Sequence, residues 1–245
     1  MPLLRSTRPD RRPRILVINP NATEAFTHSM RNCVPAHADY ELDYFTASPD
    51  SAPLSIEGMY DSVISAAACL KELEACLNEW DGFVVACFSA HPLCHVLREK
   101  TTVPVMSILS APLLLASTLG GKVAILTTSP RWVPLLEHDV HSLGLGSFCH
   151  HIVSSGLRVL ELESLPREQV LHTLGRKARE DLVERAGSDV IVLGCAGMAG
   201  LENEVRQQCG PGVVVLDPVR CSVELCAAAL RLDAATAKVG VYAPA

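Results

Sequence analysis

From Arg14 onward, short apolar runs alternate with longer stretches whose apolar positions recur at helical spacing. The runs at 15–19, 82–86, 105–108, 123–126, 190–193 and 213–216 are almost free of polar residues. Segments that short, apolar on both faces, predict buried strands of a parallel sheet. Two more mixed segments, 41–46 and 147–153, complete the strand set. Predicted helices occupy 23–33, 55–77, 92–100, 112–119, 130–143, 167–185, 198–208 and 219–230. Several begin at or beside a proline, whose fixed φ suits a first helical turn and whose missing N–H is not needed there. Asn21 or Thr23 is placed to cap the first helix. Strands alternating with helices predict an α/β fold of parallel sheets with crossover helices. Ligands of such sheets bind beyond the carboxyl ends of the strands.

Those strand ends carry a repeat. Phe83-Val84-Val85-Ala86-Cys87 has the pattern of Ile191-Val192-Leu193-Gly194-Cys195, 108 residues further on. The same offset pairs Ile15-Leu16-Val17-Ile18-Asn19 with Val123-Ala124-Ile125-Leu126-Thr127, and Val105-Met106-Ser107 with Val213-Val214-Val215. One offset fitting several strand ends predicts two pseudo-symmetric lobes, with a cysteine from each lining the cleft between them.

Composition narrows the function. The 245 residues are 49% hydrophobic and 20% charged, ordinary for one or two globular lobes. A net charge of −6 and 4% aromatics leave neither a basic surface nor a stacking platform for nucleic acid. No apolar run is long enough for a membrane span. The 10 cysteines show no C-x-x-C pair and no usual metal spacing. With no recognisable signal peptide, free thiols in a reducing cytoplasm are expected. Residues 1–14 hold five arginines and Pro2, Pro9 and Pro13, and are expected to form a disordered basic lead-in. The prolines disfavour the alternative, an amphipathic targeting helix.

The candidate chemistry centres on Cys87 and Cys195. Each follows an apolar strand and precedes a predicted helix, so backbone N–H groups are expected to lower the thiol pKa. One could then act as thiolate base and the other as thiol acid. A single such cysteine would read as a small core residue; two at matched ends of a repeat point to function. Asn19 and Asn21 follow the first strand, and Thr127, Thr128 and Ser129 follow its copy. They either hold a carbonyl and stabilise an enolate or cap helices. His91, four residues past Cys87, either tunes the thiol or contacts substrate, or else sits in the first turn of its helix. A metal site of His91, Cys94 and His95 is disfavoured because adjacent residues do not share a helix face.

Ile18-Asn19-Pro20-Asn21-Ala22-Thr23, Ser55-Ile56-Glu57-Gly58, Ala86-Cys87-Phe88, Gly194-Cys195-Ala196-Gly197-Met198 and Asp217-Pro218-Val219 together resemble the hydantoin and allantoin racemases of the aspartate/glutamate racemase superfamily. The resemblance runs over nearly the whole chain from Arg14. It implies two flavodoxin-like lobes, here 15–109 with 218–245 and then 110–217, the last helix folding back on the first lobe. It implies cofactor-independent racemisation with no metal, Cys87 and Cys195 being the paired acid and base. Asn21, Ser89, Thr127, Thr128, Ala196 and Gly197 are then expected around a small-molecule substrate, and the protein is expected to be a homo-oligomer. Hydantoin racemases typically continue after the first cysteine with Phe-Gly-Asp-Pro. This chain has Phe88-Ser89-Ala90-His91-Pro92, which resembles the fungal branch of the family. The alternatives on the same fold are a cis–trans isomerase, an epimerase or cyclase of a larger metabolite, and a non-catalytic binder of small molecules.

Overall fold

A computed structural model describes residues 11–243. Two four-stranded parallel sheets form its frame. The first comprises β1 (Arg14–Asn19), β2 (Glu41–Thr46), β3 (Gly82–Val85) and β4 (Val105–Ser107), in the order β2-β1-β3-β4. The second comprises β5 (Val123–Thr127), β6 (Cys149–Ser154), β7 (Val190–Leu193) and β8 (Val214–Leu216), in the matching order β6-β5-β7-β8. The crossovers contain α1 (Glu24–Cys33), α2 (Met59–Leu73), α3 (Pro92–Lys100), α4 (Ser110–Ala116), α5 (Trp132–Ser142), α6 (Glu161–Ser164), α7 (Arg167–Lys177) and α8 (Glu202–Cys209). Helix α9 (Pro218–Arg231) follows β8 and packs on β1, β3 and β4 of the first sheet. None of these helices is long and apolar enough to cross a membrane.

The repeat extends to the register. Ile15 lies opposite Gly82 and Val123 opposite Val190; Leu16 faces Asp43 and Ala124 faces His151. Each pair is carried into its copy by the offset of 108. The last strand departs from it. Phe83 pairs with Val105, whereas Ile191 pairs with Val215, so β8 lies two residues later than the sequence repeat predicts. Two extra residues between β7 and β8 shift that edge strand while preserving which face each side chain takes, because the strand period is two.

Alternation along the central strands divides the core. Ile15 and Val17 of β1 share one cluster with Ile125, Val190 and Val192 of the second sheet and with Val219 and Val223 of α9. Their neighbours Leu16 and Ile18 face the other way, with Phe83, Val85, Cys69 and Leu73. In the second sheet Ala124 and Leu126 join Ile191, Leu193, Leu174 and Leu182. A cluster common to both sheets holds the lobes together, since burying apolar surface is the main favourable term in association.

Helix boundaries differ from expectation where backbone conformation intervenes. The helix expected from residue 55 starts at Met59, after a loop in which Asp61 accepts the Glu57 N–H at 2.9 Å. The one expected from 198 starts at Glu202, after a tight turn over Ala196–Met198. Gly200, at φ +77°, interrupts there, a conformation that favours glycine. Helix α6 was not expected, being a single turn. Residues 1–10 of the lead-in lie outside the described residues. Its last part is not disordered: Arg11 pairs with Asp81 at 2.8 Å and Arg14 with Asp43 at 2.6 Å, within or beside β1.

Candidate active site

The two cysteines are set in place by equivalent hydrogen bonds. Past β3, the Ala86 N–H donates to the Ile18 carbonyl at 2.8 Å; past β7, the Gly194 N–H donates to Leu126 at 2.8 Å. Cys87 and Cys195 come next in each chain segment. Both line one pocket, which encloses about 400 Å³ including its open mouth.

The rest of the pocket is paired in the same way. Behind the first strand of each lobe stand Asn21 and Thr128. From the first crossover come Phe26 of α1 and Trp132 of α5; from the second come Ile56 and Val159. The symmetry breaks beside the cysteines, where one lobe presents Phe88 and the other Ala196 and Gly197. A Cβ on Gly197 would approach Phe26 Cε1 to 2.8 Å and Leu162 Cδ1 to 2.9 Å, so this wall depends on a bare backbone. The polar groups and thiols lie among aromatic and aliphatic walls, the usual composition of a small-molecule site.

The thiol environments overturn the expected lowering of their pKa. Burial pushes Cys87 up to about 12, with the Cys195 and Asp139 charges adding to it and the Ser89 hydroxyl, 3.3 Å from the sulfur, opposing. Burial likewise pushes Cys195 up to about 12, opposed by the Gly197 N–H and reinforced by Glu57. The physical reason is distance from a helix start: α3 begins only at Pro92, which has no N–H, and α8 only at Glu202. Desolvation therefore wins over the helix dipole, whose effect falls off within a turn. Burial thus favours the protonated form of both thiols.

The other expected residues divide. Asn21, Thr128, Ala196 and Gly197 line the pocket with the cysteines. Asn21 Oδ1 accepts the Thr23 N–H at 3.0 Å, and among the described residues its amide nitrogen has no protein partner. The Thr128 carbonyl accepts Ser155 Oγ at 3.3 Å and also Ser154 Oγ, which fixes the backbone and leaves the side chain to the pocket. Ser89 is not among the pocket-lining residues; its hydroxyl lies 3.3 Å from the Cys87 sulfur. Thr127 donates to the Gly194 carbonyl at 3.3 Å and so supports the Cys195 segment without reaching the pocket wall. Asn19 is fully buried and turned into α1, where its amide donates to Thr23 O and Thr27 Oγ1, both at 3.1 Å.

His91 takes the structural role. It is 1% exposed, caps α3 by accepting the Leu93 N–H, and sets Nε2 3.0 Å from Ser65 Oγ. Burial lowers its pKa to about 4, so it is neutral and offers no charge to a thiolate. His95 points instead to the Tyr242 hydroxyl at 2.9 Å. Among the described residues no group of three His, Cys, Asp or Glu side chains could hold a metal ion. Phe26 and Trp132 were missed in the sequence because apolar residues at helical spacing read as core, and Val159 because a lone apolar residue in a loop carries no signal of its own.

Comparisons with known proteins agree with this architecture. A family model described as Asp/Glu/Hydantoin racemase matches residues 15–226. An uncharacterized protein of Schizosaccharomyces pombe is 40% identical over 234 residues, spanning 94% of this chain and 97% of its own. A hydantoin racemase from Rhizobium meliloti is 34% identical over 230 residues, spanning 94% and 93%. The solved allantoin racemase from Pseudomonas fluorescens superposes with a TM-score of 0.86 at 31% identity, over 95% of this chain and 97% of that one. Matched along nearly its whole length, the chain belongs to the Asp/Glu/hydantoin racemase family and is an isomerase of the racemase type.

Proposed function

We propose that Cys87 and Cys195 racemise a carbon acid beside a carbonyl, taking its proton on one face and returning a proton on the other. The observation that carries this reading is the pair of thiols contributed to one pocket by equivalent segments of two lobes. In the working state one sulfur has lost its proton to solvent. That thiolate accepts the hydrogen from carbon, leaving an enolate, and the other thiol donates its hydrogen to the opposite face. Proton count is unchanged; the thiolate has moved from one lobe to the other. The Asn21 amide, whose nitrogen has no protein partner among the described residues, is the group available to hold the carbonyl oxygen as charge develops on it.

The substrate class is a 5-substituted hydantoin or allantoin, supported by the likeness to a hydantoin racemase and an allantoin racemase. Such a ring presents an acidic C–H beside a carbonyl, the group on which a paired acid and base act. The test is incubation in D₂O with each enantiomer, following C5 exchange by NMR and optical rotation together. Exchange with loss of rotation, above background and abolished by Cys87→Ser or Cys195→Ser, is expected. Full racemisation by either variant would overturn the two-thiol mechanism.

A further inference from the structure

The loop carrying Cys87 is fastened at three points. The Ala86 N–H is held by Ile18 within the first sheet, and His91 is held by Ser65 on α2. The third tie comes from the other lobe: the Ala90 N–H donates to Asp139 Oδ2 at 2.8 Å. Asp139 stands on α5, whose first residue, Trp132, is a wall of the pocket. The Cys195 loop has a counterpart. Its Gly200 N–H donates at 2.7 Å to Asp217 Oδ2, at the start of α9, which packs on the first sheet. Each cysteine loop is thus held by one carboxylate, but only Asp139 reaches its loop from the other lobe, Asp217 following β8 of the same sheet as Cys195.

We infer that Asp139 is a positioning residue which, through the Ala90 N–H, sets where Cys87 stands relative to Cys195. Two-sided proton transfer needs both sulfurs at bonding reach of one carbon, and they belong to different sheets. A cross-lobe tie three residues from Cys87 fixes that spacing directly. The Asp217 tie is unsuited to dissection, because the same carboxylate caps α9 through Val219 and Arg220 and is buried. Asp139 makes the single bond to Ala90 and is only half-buried. The inference rests on the two-thiol reading above.

The test compares Asp139→Ala, Asp139→Asn and Cys87→Ser in the full chain. With a 5-substituted hydantoin or allantoin, Asp139→Ala is expected to lower kcat by about tenfold or more with KM changed little, as expected when a reacting group is misplaced. C5 exchange should fall further for the enantiomer that Cys87→Ser also disables than for the other. Asn, which keeps an acceptor oxygen, should recover most of the rate. A substrate-free readout is iodoacetamide alkylation followed by peptide mass spectrometry: Asp139→Ala should raise the Cys87 to Cys195 labelling ratio severalfold, and Asn less. An unchanged ratio and unchanged kcat in a folded Asp139→Ala protein would overturn the assignment, as would an equal loss of exchange for both enantiomers with no rescue by Asn. If Cys87→Ser abolishes racemisation while Asp139→Ala does not, only the Asp139 assignment falls. If Cys87→Ser racemises normally, the two-thiol reading fails and the assignment goes with it.

Discussion

Cys87 and Cys195 each follow a residue whose N–H closes the last rung of a parallel ladder at 2.8 Å, Ala86 on Ile18 and Gly194 on Leu126. The sulfurs therefore leave two sheets at the same point of the same topology. Their immediate partners differ: a hydroxyl from Ser89 beside one, a backbone N–H from Gly197 beside the other. The equivalent positions suit a reaction that must run in both directions over one planar intermediate.

Replacing either sulfur by oxygen should remove a competent acid or base while leaving the fold intact. Cys87→Ser and Cys195→Ser are each expected to lose about 10²- to 10⁴-fold in racemisation, the range for one positioned proton-transfer group. Steady-state polarimetry on both variants, with circular dichroism as a folding check, measures this.

Gly197 is bare because Phe26 and Leu162 occupy the space of a side chain. Gly197→Ala should destabilise the protein by about 1–3 kcal/mol through overpacking, and should constrict the pocket. Phe26→Ala should cost less when added to Gly197→Ala than it does alone, since the two changes share one contact. Urea unfolding of the two single variants and the double variant gives the coupling energy.

The raised thiol pKa values set the alkaline behaviour. Activity that depends on a thiolate should climb with pH through the neutral range and still be rising at pH 9, because Cys87 and Cys195 are pushed up to about 12. Stability runs the other way. These folded-state values lie above the unfolded value of about 8.5, so the stabilisation is complete below that pH. It is lost as pH rises toward about 12, with Cys69, Cys149, Cys221 and Cys226 contributing in the same direction. Melting temperatures should hold up to about pH 8 and fall steadily above about 8.5, the range being set by those limits.

His91 gives the opposite limb. Its folded pKa of about 4 lies below the unfolded value of about 6.5, so its contribution is present above the latter and disappears as pH falls through the former. His91→Asn keeps a capping side chain and removes the titration. That variant should lose less stability than the parent between pH 6.5 and about 4, as measured by denaturant midpoints, and should leave the pH dependence of racemisation near neutrality unchanged.

Much of this was legible in the chain. Six of the eight strands among the described residues fall on the apolar runs, because a strand covered on both faces has no polar alternative, and the edge strands β2 and β6 fall on the mixed segments. The offset of 108 located both cysteines at matching strand ends, and the Gly-Cys-Ala-Gly-Met segment pointed to the family. Other features lay outside the reach of local pattern. The two-residue slip of β8, the wall built from Phe26, Trp132 and Val159, and the Asp139 tie to Ala90 all depend on which distant segments meet. The protonated state of the thiols was likewise decided by tertiary structure. Sequence spacing suggested a helix start beside each cysteine, but burial depth, not neighbouring residues in the chain, governs how much a charge on sulfur costs. Periodicity and turn chemistry are local and could be read directly; desolvation and cross-lobe geometry exist only once the two halves have packed.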